Sequence, residues 1–267
     1  MSELSNLLMD KILAIAPSQE IAPEDQMFGG HGRHYFGVGR SAMMNIMTAM
    51  MCRMAYAGGD QSPEMILDFG CGHGRVARYL RAAFPSARVE VTDYNKQGVA
   101  WCAAHLGCHD MGDDVSADYY DLIWVGSVIT HLPEEAAKEL LASLKRALRP
   151  YGVLVITTGG RLGLLHLHGF ASAETDRRYK SYSLSAEGAA TIVKDYHTGG
   201  HGYHDYPNQK GYGCALISSD WMARHMLDDG TIQLMLQEIG WDTHQDVYAF
   251  MRTHGGGMFA LDKGRYY

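Results

Sequence analysis

The chain has 267 residues, of which 46% are hydrophobic and 20% charged, and a formal net charge of −7. That composition supports one large core and excludes disorder or coiled coil as a description of the whole. No apolar run reaches the roughly 20 residues that a membrane span needs, Met1 to Asp10 is acidic where a signal peptide would be basic, and the negative balance disfavours polyanions, so a cytoplasmic protein with no nucleic-acid or membrane partner is expected.

In chain order, Leu4, Leu7, Leu8, Ile12 and Ile15 share a helical face, and Pro17 ends that helix. A glycine-rich run from Gly29 to Arg40 precedes a helix predicted from about Ser41, whose Met43, Met47, Met50 and Met54 read as adaptable core, and Gly58-Gly59 stops it. From Met65 the period changes. Met65 to Phe69 reads as a buried strand, Arg75 to Phe84 as a helix, Arg88 to Thr92 as a strand and Lys96 to Leu106 as a helix. Tyr120 to Val125 is the next strand. Pro133 opens a helix whose Ala137, Leu140, Leu141, Leu144 and Leu148 share a face, and Pro150-Tyr151-Gly152 turns the chain into the strand Val153 to Thr157. Such alternation means a doubly wound α/β sheet. The alternation lapses between Gly159 and Gly213, where helix-like pieces fall around Ala173 to Tyr179 and Ala186 to Tyr196; so long an excursion reads as a lid or substrate-binding insertion. Ser219 is a candidate N-cap for a helix from Asp220 to Leu227, Ile232 to Leu236 is an apolar run of undecided type, and Val247 to Met251 reads as a strand. The domain scheme is therefore an N-terminal helical cap (1–60), a cofactor-binding core (61–158), an insertion (159–213) and a C-terminal completion of the sheet (214–267).

The most informative segment is Asp68-Phe69-Gly70-Cys71-Gly72-His73-Gly74, a strand entering a glycine turn. A dinucleotide fingerprint would want its third glycine where Arg75 stands, and a carboxylate at Asp68 opposes a pyrophosphate while favouring a cationic ligand. Asp93, 19 residues past Gly74 and just after the second strand, is placed to accept both hydroxyls of a ribose. Together these point to a nucleoside ligand with a cationic end.

On this glycine loop, on Asp93, on Tyr120-Asp121-Leu122-Ile123-Trp124 with Gly126 and Ser127, and on Leu148-Arg149-Pro150-Tyr151-Gly152, the chain resembles the class I S-adenosylmethionine-dependent methyltransferases across Met65 to Thr158. Ser127-Val128-Ile129-Thr130-His131-Leu132 and Tyr35 to Ser41 are similar to segments of bacterial enzymes acting on small molecules or sugars. The resemblance implies a Rossmann-like methyltransferase sheet with an N-terminal helical cap, an insertion after strand five, and S-adenosyl-L-methionine as cofactor. It places Gly70 and Gly72 against the methionine part, Asp93 on the ribose and Tyr94 beside the adenine, with Asp68, Cys71 and Gly74 as further cofactor-binding residues. The loop holding Gly112, Asp113 and Asp114 would supply an adenine-side contact, and Gly126-Ser127 the edge near the amino group.

If the acceptor is a small polar molecule methylated at oxygen, a base within reach of its hydroxyl helps, and histidine suits neutral pH. His131 is the first candidate because it follows the fourth strand at the carboxyl edge of the sheet, and His34, beside Tyr35, is the second. Arg40 is a candidate for the cofactor carboxylate, and Tyr182, Tyr203, His204, Tyr206 and Tyr212 for the acceptor pocket. His197, His201, His204 and Asp205 could hold a transition metal, but the glycines between them favour a flexible polar loop. Cys102, His105, Cys108 and His109 read as structural, and the five scattered cysteines as reduced thiols; no metal site is assigned. Two alternatives stand beside this reading: a non-catalytic S-adenosylmethionine-binding regulatory protein, and a nicotinamide-dependent dehydrogenase, which Arg75 and Asp68 disfavour.

Overall fold

The computed structural model describes residues 9–57, 62–112, 114–171 and 182–254, apart from the side chains of residues 169–171. Its centre is a seven-stranded sheet in the order β3-β2-β1-β4-β5-β9-β8. The strands are β1 (Met65–Phe69), β2 (Arg88–Thr92), β3 (His109–Asp110), β4 (Tyr120–Val125), β5 (Leu148–Gly159), β8 (Thr231–Trp241) and β9 (Gln245–Arg252). β1 to β5 are parallel, as strands joined by crossover helices must be, and the hairpin β8–β9 closes the far edge antiparallel to β5. A second sheet of two strands, β6 (His201–Tyr206) and β7 (Gln209–Ile217), stands apart.

Side-chain alternation sends Ile66, Val89, Leu122 and Val153 to one face of the sheet, beneath helices Gly32–Ala57, Ala77–Ala83 and Lys96–Leu106. Leu67, Ile123, Leu154 and Phe250 point to the other, under helices Glu134–Ala147 and Ser219–Met226. Both faces are buried, so the central strands read as nearly continuous apolar runs. Of the methionine stripe, Met43 and Met50 are buried, Met47 packs at the margin of the core and Met54 is exposed. No described helix is long and apolar enough to cross a membrane.

Several boundaries differ from the sequence reading. The long helix begins at Gly32 rather than near Ser41, because buried Tyr35, Val38 and Ala42 continue its apolar face through the glycines. The helix after the glycine loop starts at Ala77, the loop occupying Arg75 and Val76. β5 begins at Leu148, and the Pro150–Gly152 turn becomes an irregularity inside it, with Tyr151 at φ 63°. Ser218, not Ser219, is the N-cap that accepts from the Trp221 amide. Ile232 to Leu236 lies inside β8.

The 159–213 segment holds an unpredicted helix Arg161–Ala171, the helix Ala186–Gly199, strand β6 and the start of β7. Leu167, Leu184, Ala189, Ile192, Cys214 and Leu216 give these elements a small core of their own. The predicted pieces at 173–179, the Gly58-Gly59 stop, Leu4, Leu7, Leu8 and Asp113 lie outside the described residues.

The order of the strands reverses between β1 and β4, and the crevice beyond their carboxyl ends is where an α/β sheet admits a ligand. The helix Lys96–Leu106 presses on the loop at that crevice: a Cβ at Gly98 would stand 2.2 Å from the Gly72 carbonyl oxygen. We therefore expect Gly98→Ala to displace the loop and cost about 1–3 kcal/mol, the usual penalty of overpacking. A lowered midpoint in denaturant unfolding, with an unchanged m-value, checks this.

Candidate active site

A cavity of about 1180 Å³ opens at the switch point. Its floor is the glycine loop after β1. Gly70 has φ 86° and lies so close to Val128 that a Cβ would meet Cγ2 at 2.3 Å, while Gly72, at φ 51°, has nothing within 4 Å of its Cβ position. The Gly70 position is closed by Val128, whereas at Gly72 the backbone is bare, as close approach of a ligand requires. Asp93, at the end of β2, accepts from the Gly72 amide at 2.8 Å through Oδ2 and from the Asn95 amide at 2.8 Å through Oδ1, which fixes its carboxylate against the loop.

Asp68 lies on the same floor, 1% exposed, with Oδ2 buried and without a hydrogen-bond partner. Burial, reinforced by the Asp93 charge, pushes its carboxyl up to about 7. An orphaned carboxyl oxygen facing a cavity calls for a donor or cation from outside the chain. Bare backbone at Gly72, with Asp68 and Asp93, thus fits a nucleoside with an ammonium group, the donor set that S-adenosyl-L-methionine presents.

The opposite wall is polar and tightly wired. Ser127, after β4, adopts φ 61°, and its amide donates to Thr157 Oγ1 at 2.8 Å. Thr157 Oγ1 donates to Gln245 Oε1 at 2.6 Å, and Gln245 Nε2 donates to Ser127 Oγ at 2.9 Å. This closed ring holds a strained residue in place and anchors the 3₁₀ turn Ile129–His131. His131 lines the cavity. Its Nδ1 lies 2.9 Å from the Gly213 carbonyl oxygen and 3.2 Å from the Tyr206 hydroxyl, and its ring stacks on Tyr212 at 4.9 Å. Donation to that carbonyl puts the proton on Nδ1 and leaves the lone pair on Nε2. Burial holds the imidazole below its ordinary pKa.

The cavity thus brings together Asp68, Gly70, Cys71, Gly72, Asp93, Tyr94, Gly126, Ser127, His131 and His34. His34 stands at the rim, 63% exposed and 3.7 Å from Asp242. Gly74 faces inward, against Leu106 and Cys102, and shapes the loop without bordering the cavity. Arg40 is exposed and does not line it. Of the tyrosines and histidine expected around the acceptor, Tyr212 alone lines the cavity and Tyr206 touches His131. Tyr182 packs beside His166, Tyr203 hydrogen-bonds Asp205, and His204 turns to the Asp205 carbonyl because β6 is a strand rather than a loose loop. His197 is exposed on the preceding helix and His201 is buried, so the four suggested metal ligands diverge. Among the described residues no group of three His, Cys, Asp or Glu converges on a metal position. The sequence reading missed the roof, Glu24 to Met27, and the wall residues Trp241 and Gln245, which are brought in from distant elements.

The sequence model of a family described as "Methyltransferase domain" matches residues 47–245. A malonyl-[acyl-carrier protein] O-methyltransferase of Halalkalibacterium halodurans is 30% identical over 118 residues, 40% of this chain and 43% of that protein. An N-terminal Xaa-Pro-Lys N-methyltransferase 1 of Mus musculus is 30% identical over 145 residues, 49% of this chain and 62% of that protein. The chain thus spans about half the length of the curated relatives it matches. In fold it resembles an O-methyltransferase family protein from Burkholderia thailandensis, with a TM-score of 0.51 at 15% identity over 95% of this chain and 71% of that one.

Two substitutions probe the floor. A carboxyl whose pKa is raised on folding contributes stability that is complete below the ordinary value of 3.8 and is lost as pH rises through about 7. Melting of the ligand-free Asp68→Asn variant should therefore match wild type near pH 4 and exceed it increasingly up to pH 8. Asp93→Ala should weaken S-adenosylhomocysteine at least tenfold by calorimetry; undiminished binding would remove Asp93 from the nucleoside site.

Proposed function

The chain belongs to the methyltransferase-domain family, and from that premise we propose that it transfers a methyl group from S-adenosyl-L-methionine to a hydroxyl of a small polar acceptor, with His131 as general base. When bound, the cofactor supplies a methyl group carried on a sulfonium. The chain's part is to hold donor and acceptor in line, exclude water and take up a proton.

In this reading Asp93 accepts from the ribose hydroxyls, Asp68 faces the ammonium group, and the bare backbone at Gly72, beside Gly70, admits the methionine end. Tyr94, 90% exposed at the mouth, flanks the adenine. Gly126 and Ser127 border the amino end, held by the ring of hydrogen bonds through Thr157 and Gln245. The acceptor lies between this wall and Tyr212.

The observation that carries the oxygen assignment is the state of His131. Its Nδ1–H is engaged by Gly213, its ring is neutral at pH 7 because burial lowers its pKa, and its Nε2 lone pair is therefore available to a proton. With the bound cofactor supplying the methyl group and keeping its sulfur as a neutral thioether, His131 Nε2 would take up the proton that the acceptor hydroxyl gives up. A hydroxyl needs such a base, because an oxygen that gained a methyl group without losing its proton would be a strongly acidic protonated ether, and imidazole takes up that proton as the bond forms.

His131→Gln keeps a polar side chain and removes the base. It should lower kcat by about 10²–10⁴-fold, the usual contribution of general base catalysis, with S-adenosylhomocysteine affinity within twofold of wild type. In the wild type the acidic limb of kcat against pH should fall below the ordinary imidazole value of 6.5, and the variant should lose that limb. An unchanged kcat for the variant on an accepted substrate would reject His131 as the base.

A further inference from the structure

Tyr206 stands half-buried behind His131, off the cavity, at the end of β6 where the hairpin loses its register. β6 and β7 pair regularly from His201 opposite Ile217 to Asp205 opposite Gly213. Tyr206 then pairs with Gln209, which leaves Lys210, Gly211 and Tyr212 without a partner across the ladder. The extra residues are pinned. Gly211 takes φ 78°, and its amide donates to Asp205 Oδ1 at 2.9 Å, an oxygen that also accepts from the Tyr203 hydroxyl at 2.5 Å. Bulges beside active sites re-aim side chains. Here both tyrosines meet His131, Tyr212 by stacking at 4.9 Å between centroids and Tyr206 through its hydroxyl, 3.2 Å from Nδ1. Among the described residues that hydroxyl has no other hydrogen-bond partner.

We propose that Tyr206 is a positioning residue for His131, whose Nδ1 proton it shares with the Gly213 carbonyl, so that the imidazolium is stabilised by two acceptors. The donor roles follow from the partners. Nδ1 carries either one proton or one lone pair, and a carbonyl oxygen can only accept. With the Gly213 oxygen at 2.9 Å the proton is on Nδ1, and the Tyr206 oxygen accepts from the same N–H in a three-centre bond. Burial raises the Tyr206 phenol above its ordinary pKa and keeps it a neutral acceptor. Tyr206 on β6 and Tyr212 on β7 are the titratable groups in ring contact with His131, and among the described residues no charged side chain shifts it; burial and the Gly213 carbonyl do. A hydrogen bond from a charged donor is stronger than one from a neutral donor, so the shared bond tightens when Nε2 takes up a proton. Tyr206 thus opposes the burial that depresses the base. The assignment rests on the reading of His131 as general base and adds to it a residue from the insertion.

The test titrates His131 in the full chain, without ligand, by proton–nitrogen correlation NMR, its resonance being the one that His131→Gln removes. In the wild type the neutral ring should carry its proton on Nδ1; a proton on Nε2 would make Tyr206 the donor and overturn the proposal without any variant. Tyr206→Phe keeps the ring and deletes one acceptor. It should lower the midpoint by about half a pH unit or more, the worth of one hydrogen bond from a charged donor. A melting curve that overlays the wild type shows that the variant is folded. Tyr212→Phe deletes a neighbouring hydroxyl that makes no hydrogen bond to His131 and should leave the midpoint in place. An unmoved or raised midpoint in Tyr206→Phe, or an equal fall in Tyr212→Phe, overturns the proposal. The base itself is judged separately, by turnover. Undiminished kcat for His131→Gln on an accepted substrate rejects the base whatever the titration shows, whereas an unmoved midpoint in Tyr206→Phe beside an inactive His131→Gln removes Tyr206 alone.

Discussion

The site depends on a knot tied by one buried guanidinium. Arg78 is 1% exposed, yet its Nη1 reaches the carbonyl oxygens of Ser18 and Glu20 at 2.8 and 2.6 Å, and its Nε that of Gly74 at 3.0 Å. Tyr35, Phe36 and Trp101 enclose its carbon at 5.3 to 5.7 Å from their ring centroids. Peptide carbonyls satisfy the charge without a second ion, so the desolvation cost is met by dipoles that the fold must fix anyway. The N-terminal segment, the long helix and the glycine loop are thereby joined at one atom group. Asp25 continues the connection: it accepts from the Tyr35 hydroxyl at 2.7 Å and stands 3.9 Å from His73 of the loop. The roof of the cavity is consequently tied to the same loop that forms its floor.

Around that knot the electrostatics are uneven. Asp68 and Asp93 lie on the floor, Asp25 at the roof and Asp242 at the rim, against Arg75 and Lys96 among the cavity's arginines and lysines. Burial, reinforced by the Asp93 charge, raises the proton affinity of Asp68, so its ionisation costs free energy that a cationic ligand recovers. The same strain that lowers ligand-free stability at neutral pH thus becomes selectivity for a positively charged nucleoside. A pyrophosphate would meet the opposite field, which is the physical reason the dehydrogenase alternative fails on this loop.

What the sequence made legible follows from how local the determinants are. β1, β2, β4 and the helix Lys96–Leu106 were readable to the residue because their apolar period and flanking breakers lie within the segment itself. Asp68, Gly70, Gly72, Asp93 and His131 were readable as neighbours because each lies at or just beyond the carboxyl end of a parallel strand. The start of the long helix was hidden, since Gly32, Gly37 and Gly39 look like loop; Gly39 is in fact required there, as a Cβ would lie 2.5 Å from the Tyr79 ring. β6 was hidden too. Its His-Gly-Tyr-His-Asp-Tyr has no apolar alternation, because the strand is stabilised by pairing with β7 and by the helix Ala186–Gly199, against which Gly202 packs closely enough that a Cβ would touch the Ile192 carbonyl oxygen at 2.0 Å. That Arg75 lines the cavity and Arg40 does not was hidden for a similar reason, because Trp241, on which Arg75 lies, approaches from the end of β8.

That hairpin matters for chemistry as much as for shape. Gly213 of β7 provides the carbonyl that fixes the His131 tautomer, and it must be glycine, for a Cβ would lie 2.0 Å from the His204 carbonyl oxygen across the pair. Tyr212, its neighbour, stacks on His131 and lies 6.5 Å from Tyr94 on the nucleoside side. One strand, β7, therefore borders the cavity, contacts His131 and reaches toward Tyr94. A change in hairpin length or register that admitted a different acceptor would also move the carbonyl that holds the Nδ1 proton. In the proposed reaction acceptor choice and proton transfer are coupled through the backbone of this single residue, so that exchanging the 159–213 segment would require a new partner for His131 Nδ1.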